Sequence, residues 1–190
     1  MQHLGLIGSC GAIVLGALAI FLVPGNSAFC LAVILGGLAA WIVVSDLRSW
    51  TIPDGAVVAL GLLGILLRIP LQAAPLMMVD ASLALVLDFV LCGGALLLLR
   101  EYYFRTRGAD GIGLGDVKLA GAAALLLGTF GFAWALLLAS VLGLLVVVVV
   151  RAMKPNMRFD RIPFGALLAP ASWLMWLQQV YFLDGSGQIG

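Results

Sequence analysis

Polar chemistry is what this sequence has least of. Of its 190 residues only 10% are charged, one is histidine and three are cysteine, while 64% are hydrophobic. A soluble domain carries about 25% charged and about 45–50% apolar residues, so there is too little polar surface here to coat a water-soluble globule. The sole histidine, His3, lies near the N-terminus. A serine or cysteine hydrolase needs a base beside its nucleophile, and this inventory does not supply one. Cys10, Cys30 and Cys92 each stand inside an apolar run and form no Cys-x-x-Cys pair. Neither a zinc knuckle nor a disulfide framework is supported, and all three read as small buried apolar side chains. No metal, cofactor or nucleic-acid partner is expected. Met1-Gln2-His3-Leu4 lacks the basic residues of a secretory signal and no cleavage site follows it, so the first apolar run is expected to be kept as a helix.

What the sequence does have is long apolar runs, over residues 4–23, 28–44, 55–67, 81–99, 117–128, 130–150 and 163–183. Most approach the roughly 20 residues that cross a hydrocarbon layer about 30 Å thick. They are apolar on every face and show no strand alternation; in lipid an open-ended segment must close its own backbone hydrogen bonds, which only a helix does. The breaks between runs carry turn residues: Pro24-Gly25-Asn26-Ser27, Pro53-Asp54-Gly55, the stretch 68–80 with Pro70 and Pro75, and the glycines of 108–115. The expectation is an all-α integral membrane protein of about seven transmembrane helices, forming one polytopic domain over residues 1–190 with the lipid bilayer as its solvent. Basic residues orient it, because cytoplasmic loops collect them. With a cytoplasmic N-terminus and the C-terminus on the opposite side, the inner loops are 45–54, 100–116 and 151–162. Nine of the ten basic residues (Arg48, Arg100, Arg105, Arg107, Lys118, Arg151, Lys154, Arg158 and Arg161) then lie in or beside those loops, and Arg68 alone lies outside.

The nine acidic residues are the scarce resource. A carboxylate in the middle of a membrane helix costs about 2.5–3.5 kcal/mol on insertion scales, so each needs a reason. Asp46 falls at the inner end of the second run, Asp54 opens the third and Asp116 opens the fifth, which brings three carboxylates to one boundary. Alternate glycines precede Asp116, in Gly111-Ile112-Gly113-Leu114-Gly115-Asp116-Val117-Lys118, and they permit close backbone approach. Asp116 sits where a helix dipole favours negative charge, and Asp46 sits at the opposite end of its own helix. Two such carboxylates brought together share one proton, which is the arrangement that activates water. Asp54 behind Pro53 also fits ordinary helix-start chemistry. Asp110 reads as a solvated loop residue. Lys118 reads either as a lysine that snorkels to headgroups or as a substrate contact. Asp88, deep in its run, either pairs with an inward polar group or lines a site.

Ser45-Asp46-Leu47-Arg48 with Ile52-Pro53-Asp54, then Gly113-Leu114-Gly115-Asp116-Val117-Lys118-Leu119-Ala120, resembles the signature pair of type IV prepilin peptidases; Ile162-Pro163-Phe164-Gly165 is similar to a third family motif. The resemblance runs from about residue 30 to 177. Two departures stand out: Ala166 occupies a position where the family usually has proline, and Asp88 one where it more often has a small residue. The large cytosolic insertion of bifunctional members, with its tetracysteine metal site and N-methylation activity, has no counterpart. The chain therefore resembles the short, peptidase-only form of tight-adherence pilus systems. The resemblance implies an intramembrane aspartic (GxGD) endopeptidase of the bacterial inner membrane. It would remove the basic leader from prepilin or pseudopilin precursors at the cytoplasmic face, with Asp46 and Asp116 as the catalytic pair. Asp54, Gly113, Gly115 and Lys118 are the supporting candidates.

Two other functions compete. A small transporter or channel could use Asp46, Asp88 and Asp116 as a proton relay; it would place acids across the membrane depth and show an inverted repeat, and no repeat is visible. A presenilin-like protease shares GxGD but needs a Pro-Ala-Leu motif near the last helix, which residues 163–172 lack.

Overall fold

The computed structural model describes residues 26–69, 75–108, 112–153 and 163–186 of the chain. These form five helices: α1 Asn26–Ser49, α2 Asp54–Arg68, α3 Pro75–Arg107, α4 Leu114–Met153 and α5 Gly165–Ser186. Three of the described helices are long and apolar enough to cross a membrane, over Ala28–Ser49, Met77–Thr106 and Leu114–Met153. The protein is thus an all-α membrane protein. The first apolar run, 4–23, lies outside the described residues, as do His3, Cys10 and Asp110.

Helix ends follow from local chemistry. Pro53, extended at φ −68° and ψ 121°, precedes α2, and its carbonyl accepts the Ala56 and Val57 N–H groups at 3.1 and 3.3 Å. Pro75 opens α3, where its fixed φ suits a helix start and its missing N–H is not needed. α1 and α3 run further than the apolar stretches that announce them. α3 has 33 residues, about 50 Å at about 1.5 Å per residue, which exceeds the hydrocarbon thickness. The helical hydrogen-bond ladder does not stop where the lipid does, so residues 45–49 of the expected loop 45–54, and 100–107 and 114–116 of the expected loop 100–116, are helical. α1 closes at Trp50, whose N–H donates to the Asp46 carbonyl at 3.0 Å with φ +55°. A tryptophan in this left-handed region costs about 1–2 kcal/mol.

α4 has 40 residues and is broken at Gly128, where φ 75° and ψ 167° are not helical. This is the boundary that separates the sequence runs 117–128 and 130–150. The chain divides into two compact units, one of residues 1–50 and 133–190, the other of residues 51–132.

In the first unit α1 and α5 pack antiparallel. Trp173 is buried, donates from Nε1 to the Ala32 carbonyl at 2.9 Å, and lies against Gly36, where a Cβ would come within 3.3 Å of the indole. In the second unit α2, α3 and the first arm of α4, residues 114–127, run up, down and up. The arm is the core of this unit: Leu119, Ala120, Ala122, Ala123, Ala124, Leu126 and Leu127 are all buried. A Cβ at Gly64 would stand 2.6 Å from the Leu126 nitrogen, and one at Gly121 would stand 2.6 Å from the Phe89 ring. Small residues let membrane helices approach closely enough for backbone contact to replace the absent hydrophobic driving force. One expectation is corrected here. Cys92 is buried, but Cys30 is exposed; in lipid an outward thiol among apolar neighbours carries no penalty, so an apolar run does not imply burial in protein.

Candidate active site

Asp46 lies in the last turn of α1 and is only 6% exposed. Its Oδ2 accepts the Ala166 N–H at 2.8 Å, and the Gly165 amide is a second backbone donor facing it. The donors are available because α5 starts here. The Leu167 and Leu168 N–H groups bond to the Phe164 carbonyl at 3.0 and 2.9 Å, while the first-turn amides ahead of them have no carbonyl of their own helix to reach. A buried carboxylate would be costly without such partners. The Pro163-Phe164-Gly165 turn is thereby a direct neighbour of the Asp46 side chain. Alanine at 166 makes the contact possible, since a proline there would have no N–H to give.

Asp116 sits in the first turn of α4 and is half-buried. Its own N–H and that of Val117 donate to the Gly113 carbonyl at 3.1 and 3.4 Å. The carboxyl group folds back over Gly113, where a Cβ would lie 3.2 Å from Asp116 Oδ2. At Gly115 a Cβ would lie 3.2 Å from the Ile52 side chain. Glycine at 115 therefore lets the Ile52-Pro53-Asp54 turn close on the turn that carries Asp116. The same two motifs are tied a second time, because Lys118 Nζ and Asp54 Oδ1 form an ion pair at 2.7 Å. These side chains are 55% and 74% exposed, and exposed pairs contribute about 0–1 kcal/mol. The pair orients more than it stabilises.

Asp88 and Arg68 also find each other. Arg68 Nη1 donates to Asp88 Oδ2 at 2.7 Å and faces the Ala124 and Leu125 carbonyls at 3.2 and 3.3 Å. Asp88 Oδ1 accepts the Thr129 N–H at 2.9 Å and the Thr129 hydroxyl at 2.5 Å. The lone outlying arginine and the odd deep acid of the sequence are partners. An Asp88 carboxylate held on both oxygens is poorly suited to a mobile proton relay.

The second unit thus brings together Asp54, Gly113, Gly115, Asp116 and Lys118, and the first unit places Asp46 against the start of α5. Sequence reasoning missed Ala166 and Thr129 as partners of acids; a backbone donor and a hydroxyl in apolar runs leave no periodic or charge signal. Among the described residues no cluster of three or more metal-ligating side chains occurs. The chemical inventory is two carboxylates on family motifs, one buried and bonded to a helix start, the other on a glycine turn.

A family model described as the type IV leader peptidase family matches residues 32–148. The match contains Asp46, Ile52-Pro53-Asp54 and Gly113-Leu114-Gly115-Asp116, and it ends before the Pro163-Phe164-Gly165 turn, short of the reach of about residue 177 read from the sequence. No curated protein and no solved structure matches the chain. Because the family match takes in more than half of the chain and both aspartate motifs, this protein belongs to the type IV leader peptidase family.

Proposed function

We propose that this chain is an intramembrane aspartic endopeptidase of a bacterial inner membrane, cutting the basic leader from prepilin or pseudopilin precursors at the cytoplasmic face. Asp46 and Asp116 are its catalytic pair. Water held between them loses a proton to one carboxylate while the other polarises or protonates the scissile carbonyl. The precursor's apolar helix docks among the spanning helices, and extended backbone ahead of it pairs with the glycine-rich stretch before Asp116. The whole chain, residues 1–190, is one polytopic domain of about seven spans with the N-terminus inside, and the excess of arginine and lysine in the three inner loops supports that orientation.

The observation that carries this reading is the family match over residues 32–148, because a single match holds both aspartate motifs. Two contacts agree with it. Gly115 against Ile52 and Lys118 against Asp54 join the two halves of the signature that lie in the second unit. The test is co-expression with candidate precursors, following their size on a gel. Wild type shortens the precursor; Asp46→Asn and Asp116→Asn each leave it full length. Normal shortening by both variants would overturn the assignment.

A further inference from the structure

The break in α4 redirects a backbone group in the apolar part of the second unit from its own helix to a side chain. In an unbroken helix Thr129 N–H would bond to the Leu125 carbonyl. At Gly128 the backbone turns to φ 75° and ψ 167°, and the Thr129 N–H goes instead to Asp88 Oδ1. The Ala124 and Leu125 carbonyls face Arg68. Each open polar group would cost several kcal/mol in lipid without a partner. Charge is matched as well: the cation meets the carbonyl end of the first arm and the anion meets the amide start of the next. Gly128 must lack a side chain, since its φ is left-handed and a Cβ would stand 3.4 Å from the Arg68 guanidinium.

The position of this cluster gives it a second consequence. The first arm of α4 runs parallel to α2, with Asp54–Lys118 at one end and Arg68 on the Ala124 and Leu125 carbonyls at the other. Asp116 lies in the first turn of that arm. The pair at the Lys118 end is exposed, whereas Arg68 and Asp88 are only 31% and 13% exposed. The shielded end is the firmer anchor.

We propose that Arg68, Asp88 and Thr129 are positioning residues: by closing the backbone groups opened at Gly128 they fix the register of the Asp116-bearing arm against α2 and α3. This rests on the aspartic-peptidase reading only where it concerns rate. None of the three touches the reacting atoms; they act through the arm.

The experiment uses the full chain purified in detergent, with a synthetic prepilin precursor as substrate. Arg68→Gln, Asp88→Asn, Thr129→Val and Thr129→Ser are compared with Gly94→Ala, a control on α3 whose added Cβ meets nothing within 4 Å. Cleavage is measured per folded molecule, alongside backbone hydrogen exchange over residues 114–127. A misplacement of about 1 Å costs about 100-fold in rate. Arg68→Gln and Asp88→Asn should therefore lose about 10- to 100-fold in kcat, keep KM within about twofold, and exchange faster along the arm. Thr129→Val should lose less, and Thr129→Ser should recover most of that loss because it restores the hydroxyl donor. A merely structural role would lower the yield of folded protein and leave kcat per folded molecule unchanged, which overturns the proposal. If wild type cleaves no precursor while Asp88→Asn still loosens the arm, the peptidase reading fails and the positioning role stands. Unchanged exchange in Arg68→Gln and Asp88→Asn ends the positioning role whatever the activity.

Discussion

The end of α1 and the start of α4 each present an aspartate on a family motif, and they hold it by opposite means. Asp46 is buried and bonded to the N–H of Ala166, 120 residues later in the chain and in the first turn of α5. Asp116 is half-buried on a turn whose glycines keep space open for its carboxylate and for Ile52. The first is fixed by tertiary packing of α1 on α5, the second by local backbone. A distant substitution that shifts α5 should therefore reach Asp46, whereas Asp116 should respond to changes in its own glycine turn and in the contacts that hold its arm within the second unit.

The largest effect that would break this comparison comes from the carboxylates. Asp46→Asn and Asp116→Asn should each lower precursor cleavage by about 100-fold or more, in the range of positioned acid–base groups, with gel-shift rates as the readout. Next are the glycines. Gly115→Val pushes into Ile52 and should cost about 10- to 100-fold in kcat, while Gly113→Ala, crowding only Asp116 Oδ2, should cost about 10-fold or less; steady-state kinetics separate the two. Ala166→Pro sharpens the Asp46 side. It removes the N–H that reaches Asp46 Oδ2 at a first-turn position where proline is tolerated. It should change the cleavage rate without unfolding the protein, as checked by thermal melting beside the cleavage assay; an unaltered rate would mean that this hydrogen bond does not matter to Asp46. Smallest is the surface pair. Lys118→Met or Asp54→Asn should shift the melting midpoint by a degree or two and the rate by about threefold at most, as expected for an exposed ion pair worth about 0–1 kcal/mol.

Much of the second unit was legible in the sequence. The run 55–67 lies within one residue of α2 at each end, and the separation of runs at residues 128–130 coincides with the break at Gly128. Gly128 sits between apolar stretches, and turn chemistry there is local. The pairing of Arg68 with Asp88 was not legible, because hydropathy registers that a deep acid is costly but not which cation answers it. Asp46 shows the same limit. Its motif marked it, yet its burial partner is a backbone amide of Ala166, to which no side-chain rule points. Trp50 is a further case: a left-handed residue after a helix is usually announced by glycine, and tryptophan gives no such sign. Cys30 erred the other way, since an apolar run in lipid says nothing about which residues face outward.

The central claim is that Asp46 and Asp116 act as one unit on the same precursor, and a double-variant comparison tests it most directly. Cleavage rates of Asp46→Asn, Asp116→Asn and the combined variant would be measured on one synthetic precursor. Residues acting as a unit are strongly non-additive, so the combined variant should be no slower than either single one. Losses that multiply, or a single variant that cuts at the wild-type rate, would contradict the account.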